Sequence, residues 1–506
     1  MAYLIGIDIG TSATKTDLYL ESGEVVATAS SSYPLYQPHN GWAEQIPEDW
    51  WKATIETIAA VIAQSGVNPK EIKGLGLSGQ MHGLVMLDED DNVIRPAIIW
   101  ADQRTEEQVD WLESKIGRTE IIEMTANPPV TGFTLAKLLW VKQYEPELFD
   151  KCRMVLLPKD YIRFRLSGVF ATEVSDASGT QLLDVGRRNW SNEMLELTEL
   201  DHDLLPPVYE SIEITSEISS TAATLTGLKE GTPIVGGAGD NAAAAIGTGV
   251  IEAGKAFTTI GTSGVVFAHT DSIKIDPEGR IHTMCAAVPN AWHVMGVTQA
   301  AGLSLSWFRD NFCQDLLHLA KKENKNPYAY MDEIAMTVEA GSDRLIYLPY
   351  LMGERTPWLD PNARGVFFGL SARHNKGHLI RAIMEGVSFS QLDTVNIMRE
   401  LDLSLSDMRA TGGGASPFWR QMLADVYGVP VHKLAANTGG TLGVALLAAV
   451  ATGSYKDLKE ACSEAVVPVA SSKPKKAVHD RYQQIYPLYH QLYLSLKEDF
   501  ISLSEL

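Results

Sequence analysis

The sequence has little of what marks secreted, membrane or redox proteins. Its 506 residues include four cysteines, which lie too far apart for the paired spacings of metal sites or redox dithiols. The longest apolar run, near 442–450, is too short to span a bilayer, and no basic region precedes an apolar one at the N-terminus. We therefore expect a soluble, unprocessed, cytoplasmic protein with buried thiols.

Basic charge is also scarce. The sequence has 42 lysine and arginine residues against 63 aspartate and glutamate residues, which gives a formal net charge of −21. Such a negative field repels polyphosphates and argues against nucleic acid or an anionic membrane as a partner. Any phosphate site must therefore be built locally, from backbone amides, hydroxyl groups and single basic side chains.

What the sequence does contain is an alternation of strand and helix patterns. Strands are predicted at 3–9, 15–20, 25–33, 72–78 and 84–87, and helices at 50–64 and 103–116. This alternation is typical of the α/β class. The length of the chain predicts two large domains.

One tetrapeptide occurs twice. The sequence Ile9-Gly10-Thr11-Ser12 recurs at 260–263, each time between two β-prone segments. Each copy can be paired with a second glycine-rich turn, at 236–240 and at 411–414. Two halves of one plan, joined near 247–255, would explain both pairings. A cleft between such halves would be the natural ligand site.

The first copy follows Asp8 and precedes Lys15, a composition that suits a nucleoside triphosphate. Glycine lets amide groups approach phosphate oxygens, hydroxyl groups donate hydrogen bonds, and lysine supplies a point charge. Asp8 would repel phosphate unless a cation such as Mg²⁺ lay between them. The turn does not have the P-loop pattern. The alternative interpretation is a tight hairpin in which Asp8 caps the turn.

Asp240 is the second candidate, because it follows a glycine-rich turn and precedes a predicted helix of small residues at 241–247. As a functional group it would be the base that accepts a hydroxyl proton during phosphoryl transfer. As a structural group it would only cap the helix.

Two further segments carry polar and aromatic groups. His82 lies at the end of a predicted strand, where it could donate to sugar hydroxyls or have only a structural role. Trp100, Asp102 and Arg104 offer an aromatic face and hydrogen-bonding groups of the kind found in sugar sites. Trp100 could equally belong to the core.

Taken in order, these segments resemble the landmarks of the FGGY carbohydrate kinases. The matching segments are Gly6-Ile7-Asp8-Ile9-Gly10-Thr11-Ser12, Gly79-Gln80-Met81-His82-Gly83, Trp100-x-Asp102-x-Arg104, Gly237-x-Gly239-Asp240-Asn241 and Gly412-Gly413-Gly414. A further stretch, 365–370 followed by 378–385, resembles the C-terminal signature of the family. The resemblance spans nearly the whole chain.

The resemblance implies two ribonuclease H-like domains of the actin-like ATPase superfamily on either side of a cleft. A sugar-binding domain is expected at 1–250 and a nucleotide-binding domain at 251–506. The implied ligands are ATP, Mg²⁺ and a small-molecule sugar, and a homodimer is left open. The strings at 79–83, 156–161 and 175–180 most resemble the branch that phosphorylates D-xylulose to D-xylulose 5-phosphate in pentose catabolism.

The resemblance also implies a role for each matching residue. Asp240 is the implied base, and Asp8 and Asp240 are the implied ligands of Mg²⁺. The implied sugar contacts are Met81 and His82, with Asp8, Trp100 and Asn241 nearby. The implied nucleotide contacts are Thr11, Ser12 and Lys15 at the γ-phosphate, Gly261 and Thr262 along the phosphate chain, and Gly413, Gly414 and Phe418 at the adenosine.

Two alternatives remain on the sequence alone. The first is a kinase for another ketose or sugar acid, such as ribulose, fuculose or gluconate. The second is a non-catalytic nucleotide or sugar sensor, against which the intact Asp240 argues. One departure from the family is that Thr438 precedes the helix predicted after Gly439, where many members have an acidic residue. This departure leaves that end of the nucleotide domain open.

Overall fold

The computed structural model describes residues 2–435 and 439–506, so Thr438 lies outside the described residues. The chain forms two compact units. The first consists of Met1–Glu252, His269–His293 and Ala435–Val467, and the second of Ala253–Ala268, Val294–Leu434 and Pro468–Leu506.

The units do not follow a single boundary in the sequence. Helix Gly440–Ala451 belongs to the first unit because it packs on the sheet of that unit. The close approach requires glycine, since a Cβ atom on Gly76 would overlap the backbone of Val444. The assignment of sugar binding to 1–250 and of nucleotide binding to 251–506 stays a prediction.

A mixed sheet forms the centre of the first unit. Its strands lie in the order Ile214–Glu217, Pro233–Val235, Ile72–Gly79, Tyr3–Ile9, Ala13–Leu20 and Val25–Ser32, and the short strand Ala238–Gly239 also pairs with Ile72–Gly79. Strand Tyr3–Ile9 runs antiparallel to the strand that follows it and parallel to Ile72–Gly79. The carboxyl ends of these two parallel strands therefore meet at one edge of the sheet.

Helix Pro47–Ser65 packs on this sheet and buries Trp50, Ile58 and Val61. These residues recur on one face of a helix of 3.6 residues per turn, which is why the segment folds as an amphipathic helix. The helix ends at Gly66, which adopts a left-handed conformation that glycine accommodates without strain.

The second unit is built on a second sheet. Its strands lie in the order Trp292–Thr298, Gly264–Thr270, Lys255–Ile260, Asp407–Thr411, Val431–Leu434 and Pro468–Ser472. Strand Lys255–Ile260 runs antiparallel to the strand that follows it and parallel to Asp407–Thr411. Helix Lys376–Glu400 is buried over most of its length.

Shorter strands and further helices complete the two units. The remaining strands are Glu44–Gln45, Val85–Leu87, Ala97–Ile98, Met154–Leu156, Thr172–Glu173, Leu183–Asp184, Asn189–Trp190, Val208–Tyr209, His282–Cys285, Ile346–Leu348 and Val366–Phe368. The remaining α-helices are Glu106–Lys115, Arg118–Thr125, Thr134–Tyr144, Pro146–Phe149, Pro158–Ser167, Val174–Ala177, Asn192–Thr198, Ser220–Thr226, Asp240–Gly247, Gly302–Phe312, Gln314–Glu323, Pro327–Met336, Pro417–Tyr427, Leu458–Ala465 and Lys476–Ser504. Short 3₁₀ helices span Pro69–Glu71, Ser178–Thr180, His202–Leu204 and Ser342–Arg344.

The predicted α/β class and the predicted strands and helices are confirmed, with ends shifted by at most three residues. The four cysteines, all of which lie within 2–435 and 439–506, form no disulfide bond. Three of them are buried, and Cys152 is half-buried. Within 2–435 and 439–506, none of the helices combines the length and apolar character needed to cross a bilayer.

Both copies of the repeated tetrapeptide form the turn between an antiparallel strand pair, as their flanking patterns predict. The sequence analysis also paired each copy with a later glycine-rich turn, at 236–240 and at 411–414, and these two turns do not occupy equivalent positions in the two sheets. The turn at 411–414 ends a strand next to Lys255–Ile260, whereas the turn at 236–240 follows a strand that is separated from Tyr3–Ile9 by another strand. By position in the sheet, the segment at 79–83 corresponds to 411–414. A glycine pattern does not reveal strand order, which long-range pairing decides.

Candidate active site

Asp8 lies near the carboxyl end of the first strand. Its register partners are Lys15 on one neighbouring strand and Ser78 on the other, and the Ser78 hydroxyl donates to Asp8 Oδ1 at 2.8 Å. Burial raises the pKa of Asp8, although Ser78 and Lys15 oppose the rise. The Lys15 ammonium group donates to Asp17 Oδ2 at 2.8 Å. Lys15 is thus held by Asp17 at a position from which its charge lowers the pKa of Asp8.

Asp240 begins helix Asp240–Gly247. The residue at the N-cap position is Gly239, so Asp240 does not cap the helix. Its Oδ1 accepts hydrogen bonds from the backbone and side-chain N–H groups of Asn241, at 2.6 and 2.8 Å. Burial raises the pKa of Asp240 to about 7, and the charge of Asp8 adds to the rise. A carboxylate with this pKa is well matched to act as a general base near neutral pH.

A chain of hydrogen bonds holds the residue that precedes Asp240. The N–H of Gly239 donates to Ser175 Oγ at 3.1 Å, and the Ser175 hydroxyl donates to Glu173 Oε1 at 2.9 Å. Because the hydroxyl has a single hydrogen, its bond to Glu173 leaves its lone pairs to accept from Gly239. The buried Glu173 also accepts from Ser211 Oγ at 2.6 Å. Two successive hydrogen bonds, from Gly239 to Ser175 and from Ser175 to Glu173, therefore hold the start of helix Asp240–Gly247.

A buried ionic cluster adjoins this chain. The Lys159 ammonium group lies 2.8 Å from Asp160 Oδ1, 3.4 Å from Glu173 Oε1 and 3.4 Å from Asp176 Oδ2. Burial disfavours the charge on Lys159, but the three carboxylates raise its pKa. Burial raises the pKa of Asp176 well above its ordinary value, and Asp240 is among the charges that add to the rise. The cluster therefore lies within electrostatic reach of Asp240.

Met81 and His82 follow the strand that ends at Gly79. Met81 is buried in a cluster with Phe133, and the His82 ring stacks on the same Phe133 with ring centroids 4.6 Å apart. His82 Nδ1 lies 2.7 Å from Gly179 O. A carbonyl only accepts, so Nδ1 carries the hydrogen, and Nε2 of the neutral ring is an acceptor. A role of Nε2 as a donor would require the protonated ring.

Two glycines allow close packing around Met81 and His82. A Cβ atom on Gly239 would lie 2.9 Å from Met81 Cγ, and one on Gly179 would lie 2.5 Å from His82 Nδ1. Neither contact leaves room for a side chain. The turn before Asp240 thus packs against Met81, one of the predicted sugar contacts.

Trp100 and Thr11 are in direct contact. The indole N–H of Trp100 donates to Thr11 Oγ1 at 2.9 Å, and the Thr11 carbonyl accepts from Gln45 Nε2 at 2.6 Å. Ser12, the next residue in the turn, is exposed. A residue predicted to contact the sugar therefore orients one that is predicted to contact the γ-phosphate.

Asp102 and Arg104 have a different role from the one suggested by their spacing. Both side chains are essentially inaccessible, and two nitrogens of Arg104 donate to the Asp102 carboxylate at 2.7 and 2.9 Å. The guanidinium group also pairs with Glu44 and lies 3.5 Å over the ring of Trp42. These contacts make the pair a structural brace, and the interpretation of the two residues as sugar-binding groups is wrong.

The two predicted nucleotide loops of the second unit lie side by side. The N–H of Gly414 donates to Ile260 O at 3.0 Å, directly before the turn that contains Gly261 and Thr262. The carbonyl groups of Gly261 and Thr262 accept from the first turn of helix Gly302–Phe312, at 2.8 and 3.1 Å. One edge of this sheet therefore carries two glycine-rich loops and a helix N-terminus.

Phe418 lies in the first turn of helix Pro417–Tyr427. The Arg381 guanidinium group lies 5.4 Å from the centroid of its ring. Phe418 and Arg381 help to line a cavity of 420 Å³. Gly413 is exposed, and a Cβ atom there would meet nothing within 4 Å. That Phe418 and Gly413 contact the adenosine stays a prediction.

The predicted residues thus divide between the two units. The first contains Asp8, Thr11, Ser12, Lys15, Met81, His82, Trp100, Asp240 and Asn241, and the second contains Gly261, Thr262, Gly413, Gly414 and Phe418. The sequence interpretation missed Ser78, Ser175 and Glu173. For Ser78 the available signal was a polar residue at the end of an otherwise apolar strand, which is unusual unless a buried partner satisfies it. Glu173 and Ser175 lie in a polar segment and gave no such signal.

The donor set at Asp8 and Asp240 fits Mg²⁺. Across the part of the chain that the structure describes, no group of three or more His, Cys, Asp or Glu side chains could hold a metal ion. Mg²⁺ needs no such cage, because proteins usually hold it through one or two carboxylates together with substrate phosphates. The charge of Asp8 raises the pKa of Asp240, and a cation between the two carboxylates would relieve this repulsion.

Comparison with known proteins shows which family the chain matches. Residues 3–247 match the N-terminal domain of the FGGY family of carbohydrate kinases, and residues 256–452 match the C-terminal domain of that family. A xylulose kinase of Bacillus subtilis (strain 168) is 41% identical over 502 residues, which cover 98% of each chain.

Solved structures match over the same length. A ligand-bound xylulose kinase from Lactobacillus acidophilus superposes with a TM-score of 0.92 at 30% identity, covering 99% of this chain and 100% of its own. A gluconate kinase from the same organism also gives a TM-score of 0.92 at 30% identity, covering 99% of both chains. The fold is therefore common to kinases that are named for different sugar substrates.

Proposed function

The chain belongs to the FGGY family of carbohydrate kinases, and we propose that it transfers the γ-phosphoryl group of ATP to D-xylulose, forming D-xylulose 5-phosphate. The similarity to xylulose kinases over nearly the whole chain supports this choice of sugar. The observation that carries the proposal is the buried Asp240 carboxylate, which lies on a turn packed against Met81 and whose pKa burial and Asp8 raise to about 7.

Asp240 is the proposed general base. It takes the proton from the terminal hydroxyl of the sugar as that oxygen forms its bond to the γ-phosphorus and the bond from phosphorus to the β-phosphate oxygen breaks. An ordinary aspartate would be a poor base for an alcohol, and the raised pKa increases its affinity for the proton. The two hydrogen bonds from Asn241 keep one carboxylate oxygen in place.

Met81 and His82 are the proposed sugar contacts, with Trp100 and Asn241 nearby. Because His82 Nδ1 faces the carbonyl of Gly179, the neutral ring offers Nε2 to a sugar hydroxyl as an acceptor. The stacked Phe133 ring fixes the plane of the imidazole. Positioning of this kind matters in phosphoryl transfer, where the protein supplies alignment more than covalent chemistry.

The proposed nucleotide contacts follow the division between the units. Gly261, Thr262, Gly413 and Gly414 lie on one edge of the second sheet, where backbone amides can approach phosphate. Thr11, Ser12 and Lys15 would meet the γ-phosphate from the first unit. Asp8 and Asp240 would hold Mg²⁺, whose chemistry is to neutralise charge on the phosphate oxygens.

The choice of sugar is tested by measuring ADP release with Mg-ATP and a panel of acceptors. We expect the highest kcat/KM with D-xylulose, compared with ribulose, fuculose, gluconate and glycerol. A preference for gluconate would favour the second candidate function, which the match to a gluconate kinase structure supports. Such a result would overturn the choice of D-xylulose as the sugar, but it would not contradict the proposed kinase activity.

The role of Asp240 is tested separately with Asp240→Asn. This change keeps the acceptor oxygen for Asn241 and removes the base, so kcat should fall by about 100-fold or more. Binding of a nonhydrolysable ATP analogue should persist. Sugar-dependent ADP release at the wild-type rate would overturn the role of Asp240, and its absence from the wild-type protein with every acceptor would overturn the kinase proposal.

A further inference from the structure

Arg355 is a cation in an unusual setting. Its guanidinium group makes no hydrogen bond or ion pair with any residue in 2–435 or 439–506, although its backbone N–H donates to Glu354 Oε1 at 2.8 Å. The side chain is only partly exposed, and loss of solvent lowers the pKa of Arg355. A guanidinium group that loses water without gaining a partner is costly, so such groups are normally paired.

The loop that carries Arg355 is rigidly held. Glu354 Oε1 accepts from the backbone N–H groups of Gln299 and Arg355, both at 2.8 Å, and its Oε2 accepts from Ser390 Oγ at 3.2 Å. The N–H of Thr356 donates to Val297 O at 3.1 Å, and the hydroxyl of Thr356 accepts from the N–H of Val297 at 3.0 Å. Hydrogen bonds of the residues before and after Arg355 therefore hold its backbone in place.

Glu354 does not serve as the missing partner. Its two oxygens already accept three hydrogen bonds from other groups. Burial raises the pKa of Glu354 to about 8, so the carboxyl group is largely protonated at neutral pH. The charge of Glu354 opposes the lowering of the Arg355 pKa without reversing it, so it compensates the guanidinium group only in part.

The loop lies at the same edge of the sheet as the predicted phosphate loop. Strand Trp292–Thr298 ends beside Glu354 and Thr356. Four residues after this strand, Gly302 donates to the carbonyl of Gly261 at 2.8 Å. The end of this one strand thus connects the Arg355 loop to the turn that contains Gly261 and Thr262.

We propose that Arg355 binds a phosphate group of the nucleotide, as a cation that the glycine-rich loops of the second unit do not themselves supply. This proposal rests on the proposed function in assuming that a nucleoside triphosphate lies along the Gly261 turn. A guanidinium group suits the task because it offers several N–H groups in a plane and can bind two phosphate oxygens at once. The otherwise acidic molecule would then meet phosphate charge with a preorganised cation.

The test is calorimetric titration of the full-length protein with a nonhydrolysable ATP analogue and Mg²⁺, and separately with adenosine. Arg355→Gln removes the charge, and Arg355→Lys keeps it without the planar group. The control is Arg373→Gln, because the side chain of Arg373 is 82% exposed and pairs with Asp343. Thermal unfolding of each variant shows whether it is folded.

We expect Arg355→Gln to weaken binding of the ATP analogue by about 10- to 100-fold, with a smaller loss for Arg355→Lys. Adenosine binding and the Arg373→Gln control should be unchanged. Equal binding of the analogue by wild type and a folded Arg355→Gln would overturn the proposal, as would an equal loss of adenosine affinity. These outcomes do not depend on the sugar, and failure of the proposed function would appear instead as absent phosphorylation by a wild type that still binds the analogue.

Discussion

The backbone N–H of Gly239 donates to the hydroxyl of Ser175 at 3.1 Å, one residue before Asp240. The bond joins two segments that are far apart in the sequence. The orientation of the proposed base thus depends on a serine that is not expected to touch the substrate.

Ser175→Ala should lower kcat by about tenfold or more, because small displacements of a catalytic group have large effects on rate. KM for ATP should change little, since Ser175 lies in the first unit and the predicted adenosine contacts lie in the second. The measurement is steady-state kinetics with both substrates varied. The control is Ser211→Ala, which removes another bond to Glu173 but none to Gly239. An equal loss of kcat in both variants would show that Ser175 matters only for the stability of the region.

Asp240→Asn should stabilise the ligand-free protein at pH 8. The pKa of Asp240 is about 7 in the folded protein, against an ordinary value of 3.8, so the folded state binds a proton that the unfolded state releases. Stability from this group is therefore fully present below about pH 3.8 and is lost as pH rises from there through about 7. We expect the variant to gain about 4 kcal/mol at pH 8 in calorimetric unfolding without Mg²⁺.

The same comparison at pH 5 is the control for that prediction. The folded Asp240 keeps its proton at pH 5, whereas the unfolded one, with its ordinary pKa of 3.8, has mostly released it, so the gain of the variant should fall to about 1 to 2 kcal/mol there. A gain that is the same at both pH values would mean that the pKa of Asp240 is not raised.

Gly179→Ala should raise KM for the sugar by about tenfold or more, because the new Cβ atom would lie 2.5 Å from His82 Nδ1 and must displace the ring from its place. KM for ATP should stay within about twofold of wild type. Gly186→Ala is the matched control, since Gly186 is exposed and its Cβ atom would lie 3.3 Å from the nearest atom, Asp184 Oδ1. An unchanged KM for every acceptor sugar would argue against His82 as a sugar contact.

Arg104→Ala should destabilise the protein rather than weaken sugar binding. The change leaves the buried Asp102 carboxylate without its ionic partner, and such losses cost about 3 to 5 kcal/mol. Chemical denaturation measures the expected effect, and KM for the sugar in the folded variant should be close to that of wild type. Arg187→Ala is the control, because its side chain is 88% exposed. A folded variant of normal stability with a large rise in KM would restore a sugar-binding role for Arg104.

The resemblance to a family indicated the type of reaction, and the sequence by itself determined the class of the fold and most of its elements. Local patterns are sufficient for this, since a buried strand such as Ile72–Gly79 and an amphipathic helix such as Pro47–Ser65 are written in consecutive residues. The turn after Asp8 and the glycines before Asp240 are local patterns as well, so the sequence also located them.

The tertiary structure alone decided which residues surround Asp8 and Asp240. Strand order separated the glycine turns that sequence spacing had paired, and it made Ser78 the register partner of Asp8. Burial turned Asp102 and Arg104 into a brace and raised the pKa of Asp240 to about 7. These properties depend on hydrogen bonds, desolvation and charge between residues far apart in the chain. No local pattern encodes them, because the same side chain has a different chemistry in water and in a packed interior.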